Sequence, residues 1–356
     1  MKQQRNLSIQ MLAPAFLGDA EQKGTWRTPP FKALLREWWR VAAAAEHAFD
    51  HRRLREHEGL LFGNAWLEPV GKQDRFCQSK LRLAFEHWNP GTLKAWESEA
   101  TVMHPEVGRQ VGSHLYLGYG PLTYDRQNRH SALKSGAALQ ADATNVLRLA
   151  WPEKHSPEMR IDHTLQLIDW FGTVGGRSRN GWGSLALSDL PQRAALHDTH
   201  PLLRAVLRPL EQCPKLDWPH AIGQDAQGAL VWHSSKAFTS WREAMQFLAQ
   251  TKIGFRTALD FRGGGPHHSA QERHLLAYPV TNHDLAHAGR NARQANQLRF
   301  KLYQCPDGKL RVRIFHTPHG NALSELKGPD PLATWAKVHR WLDDPTHQLQ
   351  RLGAAT

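Results

Sequence analysis

The sequence predicts a protein of two domains in which helices and strands are mixed. Three observations carry this prediction: a helix pattern that starts at Thr28, a strand hairpin over residues 298–315, and a proline-rich stretch over 188–220 between them. A length of 356 residues is enough for two ordinary domains. We place the boundary in the proline-rich stretch, which gives domains of residues 1–190 and 191–356.

Composition limits the classes of partner. The chain has 45 Lys and Arg against 33 Asp and Glu, a net charge of +12, which predicts a polyanionic partner. Nucleic acid is the first candidate and a membrane surface the weaker one. We expect no membrane span and no signal sequence, because no apolar run is long enough. Cys77, Cys213 and Cys305 are odd in number and widely separated, which favours a reducing cytoplasm over a disulfide framework.

The chain opens with a predicted strand, in which Leu7, Ile9 and Met11 alternate with polar residues. A helix is then expected to begin at Pro29-Pro30, since proline is tolerated in a first turn. Apolar residues recur there at steps of three and four, and so predict one buried side: Phe31, Leu34, Trp38, Val41, Ala42 and Ala45.

The same stretch, which runs to Phe62, carries Lys32, Arg36 and Arg40 at steps of four residues, with Trp39 beside them. At this spacing the three basic side chains lie along one side of a helix. Aromatic planes among guanidinium groups suit single-stranded nucleic acid, because bases stack on the rings and phosphates bind the cations. The alternative is a solvated helix face with no binding role, which is the commoner outcome for basic residues at this spacing. The candidate RNA-binding residues here are Lys32, Arg36, Trp39, Arg40, Arg52 and Arg53.

Further elements are predicted before the boundary. Ser113–Leu117 and Asn145–Leu149 have the pattern of short strands, and the first leads into a turn at residues 118–121. Asp162 is the predicted N-cap of a helix that Gly172 can end.

A glycine-rich segment follows at residues 172–187, GTVGGRSRNGWGSLAL. Glycine lets a backbone approach a ligand and present its amides to an anion, whereas a tight connection is the alternative interpretation. The segment matches neither a Walker loop nor a dinucleotide fingerprint. Its candidate RNA-binding residues are Gly175, Gly176, Arg177, Ser178, Arg179, Asn180, Gly181 and Trp182.

In the second half, Ser240 and Glu243 form a predicted capping box for a helix through Ala249. The hairpin of residues 298–315 has one apolar face, which is expected to face the core. For its polar face, exposure to solvent and contact with RNA are about equally supported. Asp330-Pro331 is expected to start a last helix that only packs. The residues of the polar hairpin face are Arg299, Lys301, Tyr303, Arg311 and Arg313.

Metal and catalytic sites are not indicated. The chain has no HExxH, paired CxxC or DxD-type motif, and we expect the acidic and histidine residues of segment 50–58 to form ion pairs. RNA cleavage through the 2′-hydroxyl would need a base, an acid and a cation. Histidines could supply the acid and the base, but no spacing between them singles out a catalytic pair. The best candidate pair is His267-His268, and the other candidates are His104, His114, His130 and His163.

Several motifs resemble the RAMP superfamily of CRISPR-associated RNA-binding proteins, and within it the first-subunit family of the Cmr (type III-B) RNA-silencing complex. The matching segments are AFLGD at 15–19, TPPFKALLREWWR at 28–40, LREHEGLLFGN at 54–64 and GGRSRNGWGSL at 175–185. The segment RQANQLRFKLYQ at 293–304 resembles a late strand of that family. Gly176 departs from the alanine that many relatives carry there.

The resemblance implies an α+β protein of two ferredoxin-like (RRM-type) domains with long loop insertions. It also implies a non-catalytic subunit of a type III CRISPR effector complex. Such a subunit binds guide RNA, complementary target RNA and other RAMP subunits, while neighbouring subunits cut. No cofactor is expected. A metal-independent endoribonuclease that processes guide precursors is the alternative, as found for some RAMP proteins.

Overall fold

The structure is a computed structural model that describes residues 1–65, 76–97, 99–128, 130–134, 137–191, 193–216, 218–289, 291–320 and 328–354. Helices and mostly antiparallel sheets alternate along these residues, which makes the chain an α+β protein. No helix in these ranges is long and apolar enough to cross a membrane. Cys77, Cys213 and Cys305 all carry free thiols.

The elements of the first half follow one another in chain order: β1 (Lys2–Met11), α1 (Thr28–Ala43), α2 (His51–Phe62), β2 (Arg82–Phe85), β3 (Thr101–His104), β4 (Arg109–Gly112), α3 (Ser113–Gly118), β5 (Leu122–Asp125), β6 (His130–Leu133), β7 (Thr144–Pro152), α4 (Ser156–Met159), α5 (Ile161–Phe171) and β8 (Leu185–Ser188). Those of the second half continue the order: α6 (Pro201–Arg204), β9 (Leu207–Pro209), β10 (Ile222–Asp225), β11 (Gly228–Ala229), β12 (Val231–Ser234), α7 (Trp241–Thr257), α8 (Glu272–Leu276), β13 (Leu298–Gln304), β14 (Leu310–His316), α9 (Pro331–Asp343) and β15 (Leu349–Arg351).

The first large sheet has the strand order β2-β7-β1-β8 and is antiparallel throughout. Leu7 pairs with Leu147 and Ile9 pairs with Leu187, and all four side chains are buried. Helix α1 follows the first of these strands and α5 follows the third, so the path is strand–helix–strand–strand–helix–strand. The predicted opening strand is confirmed.

The second large sheet has the order β13-β14-β12-β15 and repeats the same path, with α7 after its first strand and α9 after its third. The predicted hairpin is confirmed: Leu298 pairs with His316, Gln304 pairs with Leu310, and the turn lies between them. The last helix also begins as predicted, because the Asp330 carboxylate accepts hydrogen bonds from two amides of its first turn.

The predicted helical run from Thr28 to Phe62 is divided into α1 and α2. Phe49 adopts a positive φ of 58°, and the Asp50 carboxylate accepts hydrogen bonds from the amides of Arg52 and Arg53, which starts a new helix. Ala45, predicted on the buried side, is consequently exposed just past the end of α1.

Two other local predictions are wrong. Ser113–Leu117 is helical because the Glu99 carboxylate accepts hydrogen bonds from the amides of His114 and Leu115, a cap supplied from outside the segment. Asp162 lies in the first turn of α5, and Arg160 occupies the N-cap position. The helix after Ser240 is confirmed but runs on to Thr257.

The basic face of the hairpin is largely buried, which neither sequence interpretation anticipated. Lys301 Nζ donates to the backbone oxygens of Ile168 and Asp169, both at 2.8 Å, and Arg313 donates to that of Trp170. These carbonyls lie in the last turn of α5, where the helix dipole is negative and the last backbone acceptors have no partner within the helix. Burial lowers the pKa of Lys301 to about 7. The two cations thus join β13 and β14 to α5.

Among the residues that the structure describes, the buried hydrophobic side chains form two main clusters. One packs β1, β7, α1 and α5, and the other packs the second large sheet with α7 and α9. Leu117 and Trp182 of the first half belong to the second cluster. The domain boundary between residues 190 and 191 stays a prediction.

Candidate nucleic-acid interface

A cleft of about 500 Å³ lies between α1, α2 and the loop within the glycine-rich segment of residues 172–187, called the glycine-rich loop below. Its charged lining comes from elements far apart in sequence and contains more guanidinium groups than carboxylates. Such an excess of fixed positive charge in a concave surface attracts anions. The charged lining residues are Arg36, Arg40, Arg55, Arg179, Glu37 and Glu58.

The α1 arginines share one buried carboxylate. Glu58 of α2 accepts hydrogen bonds from Arg36 Nε and from Arg40 Nη1, the latter at 2.8 Å. The Glu58 side chain is 5% exposed, whereas those of Arg36 and Arg40 are 28% and 32% exposed. One carboxylate therefore fixes two guanidinium groups that still reach the solvent of the cleft. The expected ion pairing of Glu58 is confirmed, with partners on α1.

A second carboxylate connects the cleft to the other half of the chain. Glu37 accepts from Arg299 Nη1 at 2.8 Å and Nη2 at 3.4 Å, and Arg179 Nη2 lies 3.9 Å away. Burial alone would raise the pKa of Glu37, but the charges of Arg299, Arg179 and Arg40 hold it below its ordinary value. Glu37 therefore stays ionised and orients the arginines around it.

Arg179 is the part of the glycine-rich loop that reaches the cleft. Its Nη1 donates to the backbone oxygen of Asn296 at 3.2 Å, while its Nη2 faces Glu37. Burial, followed by repulsion from Arg299, lowers the pKa of Arg179 to about 10, so the guanidinium remains charged at neutral pH. The structure thus brings together two basic motifs that lie far apart in the sequence.

The glycines of the loop serve close packing. Gly175 has a φ of +94°, and a Cβ there would lie 2.7 Å from the backbone oxygen of Phe16. The Gly176 amide donates to the same oxygen at 2.9 Å. The amides of Asn180 and Gly181 bond within the loop, to Arg177 and Ser178 respectively. These three amides already have acceptors within the chain, and contact of the loop backbone with RNA stays a prediction.

Three further residues of the loop lie in different surroundings. Asn180 is buried: its Nδ2 donates to the backbone oxygen of Leu117 at 2.8 Å, and its Oδ1 accepts from Lys252 Nζ at 2.9 Å. Ser178 is half-buried. Arg177 is exposed, outside the lining of the cleft.

Both candidate tryptophans are core residues. Trp39 and Trp182 are fully buried. Trp39 Nε1 donates to the backbone oxygen of Glu158 at 2.9 Å, and the ring of Trp182 packs among Phe16 and Trp96. Neither ring offers a face to a base in this structure. The predicted stacking role is therefore corrected to packing, because residue type alone does not distinguish the two.

The remaining candidates lie at the margin. Arg52 and Arg53 are exposed in the first turn of α2 and do not line the cleft. Lys32 is half-buried, and its pKa is lowered by burial and then by Arg36. Arg55, which does line the cleft, was missed, although its helical spacing of three from Glu58 places it on the same side of α2.

The histidine pair does not form one site. His267 is buried, with its Nε2 3.0 Å from His283 Nδ1, while His268 is exposed. Within the described ranges, no group of three or more His, Cys, Asp or Glu side chains is arranged to hold a metal ion.

Comparison with known proteins found no matching family model and no matching curated protein. Among solved structures, the chain is similar to Cmr1 from Pyrococcus furiosus in its apo form, with 12% identity and a TM-score of 0.45 over 95% of this chain and 96% of that one.

Two chains from CRISPR complexes are also similar to this one. The first is from the type III-B Cmr-beta complex bound to cognate target RNA, with 10% identity and a TM-score of 0.49 over 94% of this chain and 98% of that chain. The second is from a type IV-B CRISPR complex, with 14% identity and a TM-score of 0.30 over 56% of this chain and 95% of that chain. At these identities and scores, the function has to be argued from the chain's own residues.

Proposed function

We propose that this chain is a non-catalytic, RNA-binding subunit of a type III CRISPR effector complex. It would bind guide RNA, complementary target RNA or both, and contact other RAMP subunits. The single observation that carries RNA binding is the cleft in which the arginines of α1 and of the glycine-rich loop converge. The motif resemblance supplies the class of complex, and the net charge of +12 supports a polyanionic partner.

We further infer that each half is a ferredoxin-like unit. In both large sheets the chain follows a strand–helix–strand–strand–helix–strand path, and the third strand pairs with the first and the second. In both, the fourth strand lies at the far side of the first. The two halves therefore have the same connectivity.

Arg36 and Arg40 would bind RNA phosphates at the mouth of the cleft, because their guanidinium groups are held by Glu58 and still partly exposed. Phosphate contacts position a nucleic acid without reading its sequence. We therefore expect weak sequence preference and an affinity that falls steeply with salt.

The test must separate weaker RNA binding from a less stable fold. Replacing Arg36 and Arg40 alone would leave the Glu58 carboxylate buried without a cation, which destabilises a fold. We would compare the triple variant Arg36→Gln, Arg40→Gln, Glu58→Gln with Glu58→Gln alone, which keeps both arginines. Binding of labelled single-stranded RNA would be measured by fluorescence anisotropy over a salt series, with thermal melting as the folding control.

The triple variant should bind RNA at least about tenfold more weakly than Glu58→Gln, and its log–log salt slope should be shallower by about 0.7 for each phosphate that is no longer bound. Equal affinities and slopes in two folded variants would remove the cleft from the RNA-binding surface. Running the same samples with EDTA on a denaturing gel tests the absence of cutting. Cleavage at one position would favour the endoribonuclease alternative.

A further inference from the structure

A second surface lies outside the cleft, where the turn of residues 118–121 rests on the glycine-rich loop. A Cβ on Gly176 would be 3.2 Å from the Pro121 ring, and one on Gly120 would be 3.3 Å from Arg177 Nη2. The two loops are therefore in direct contact. Tyr119, the residue before Gly120 in this turn, is 62% exposed.

The turn is a rigid support for this tyrosine. A Cβ on Gly118 would meet Leu122 at 2.9 Å and the buried Trp182 ring at 3.0 Å, so the backbone is packed tightly. The Gly120 amide donates to the backbone oxygen of Leu122 at 3.0 Å. A large aromatic ring held in water by a packed backbone needs little ordering when a ligand binds, which favours affinity.

A cation lies beside this turn. Arg177 is exposed, and its Nη2 would be 3.3 Å from a Cβ on Gly120, the residue that follows Tyr119. An exposed guanidinium next to an exposed aromatic residue can hold the phosphate of a nucleotide whose base stacks on the ring.

We infer that Tyr119 is a base-stacking site for single-stranded RNA, with Arg177 holding an adjoining phosphate. This inference rests on the proposed RNA-binding function and names a subsite that the cleft does not contain. A protein partner would favour apolar neighbours around an exposed aromatic residue, whereas cations next to an aromatic face are the combination that single-stranded nucleic acid uses.

The experiment compares Tyr119→Ala, Tyr119→Phe and the matched control Trp88→Ala, since Trp88 is a similarly exposed aromatic residue (56%) in the segment after β2. The probe is a fluorescein-labelled single-stranded RNA. Loss of one base–aromatic stack should weaken binding of Tyr119→Ala by about tenfold. Tyr119→Phe retains the ring and Trp88→Ala lies elsewhere, so both should match the wild-type chain.

Two readouts distinguish stacking from a general weakening of binding. The salt slope of Tyr119→Ala should be unchanged because no charge is removed, whereas Arg177→Gln should lower it by about 0.7. RNA carrying 5-iodouridine should crosslink to residue 119 of the wild-type chain on irradiation, as located by mass spectrometry.

Wild-type affinity in Tyr119→Ala would overturn the inference, as would an equally weak affinity in Tyr119→Phe, which would indicate a hydroxyl contact. If the cleft variant still weakens binding in that case, the proposed function stands and only the stacking site fails. If the wild-type chain binds no RNA at any salt concentration, both proposals fail.

Discussion

The ion pair between Glu37 and Arg299 can be used to test whether contacts from β13 stabilise the arrangement of charged side chains in the cleft. Arg299 comes from β13, its side chain is 3% exposed, and its guanidinium lies 5.2 Å from the centre of the Trp38 ring. Substituting Arg299→Met keeps the length of the side chain and removes both hydrogen bonds to Glu37. We expect the free energy of unfolding to fall, because the half-buried Glu37 carboxylate loses its main partner.

The magnitude follows from burial. Breaking one partner of a buried ion pair costs about 3–5 kcal/mol. The Glu37 side chain is 25% exposed and Arg179 remains 3.9 Å from it, so solvent and a second cation offset part of this cost. We therefore expect about 3 kcal/mol for Arg299→Met. A Glu with a lowered folded-state pKa contributes its full stability above its unfolded-state pKa of about 4.3 and loses it as the pH falls through the lower folded-state value, so this cost should shrink at acidic pH.

The assay is urea denaturation followed by circular dichroism at pH 7, on Arg299→Met, Glu37→Gln and the double variant. The cycle should give a coupling energy of at least about 1 kcal/mol. Arg148→Met is the matched control, since Arg148 pairs with Glu86 at 3.1 Å on the surface and should cost under about 1 kcal/mol. Additive single-variant effects, with no coupling, would refute the account of Glu37 as the anchor of the cleft.

Two further outcomes follow from buried groups. Burial lowers the pKa of His114, His163 and His220 to about 4, so these rings take up protons more readily in the unfolded chain. The free energy of unfolding should therefore fall as the pH drops from about 6.5 towards 4, and pH-dependent urea titrations should show it; a flat profile would contradict burial of neutral rings. Trp182→Ala should lower the free energy of unfolding by about 3–5 kcal/mol in the same denaturation assay, because it leaves a cavity in the core. The fraction of this variant that remains folded should bind RNA with an unchanged salt dependence. A stable variant with weakened RNA affinity would restore the stacking role.

The elements that sequence reasoning located are those whose pattern is local. Alternation predicted β1 and both strands of the hairpin, and an Asp before a Pro predicted the start of α9. The helix at Ser113 was missed because its cap is the carboxylate of Glu99, which lies fourteen residues earlier in the chain. A pattern within the segment contains no information about such a partner.

Burial of charge was the other limit. Lys301 and Arg313 alternate with apolar residues as a solvent-facing pair would, yet they satisfy the carbonyls at the end of α5. Their partners are helix-terminal backbone atoms, which carry no sequence signature. Trp39 and Trp182 were misassigned for a related reason, since a tryptophan suits a core and a stacking surface equally well.

The arrangement of the glycine-rich loop gives the second half of the chain a role that its sequence did not reveal. Arg177 and Arg179 are two residues apart, but Arg179 faces Glu37 in the cleft and Arg177 lies beside Gly120. Glu37 is in turn held by Arg299 from the second half, and Asn180 by Lys252. The second half therefore helps to position Arg179, whereas Arg36 and Arg40 are held by Glu58 of the first half. Since a guanidinium must be oriented to bind a phosphate by two hydrogen bonds, the proposed RNA-binding surface would depend on both halves even where only the first would touch RNA.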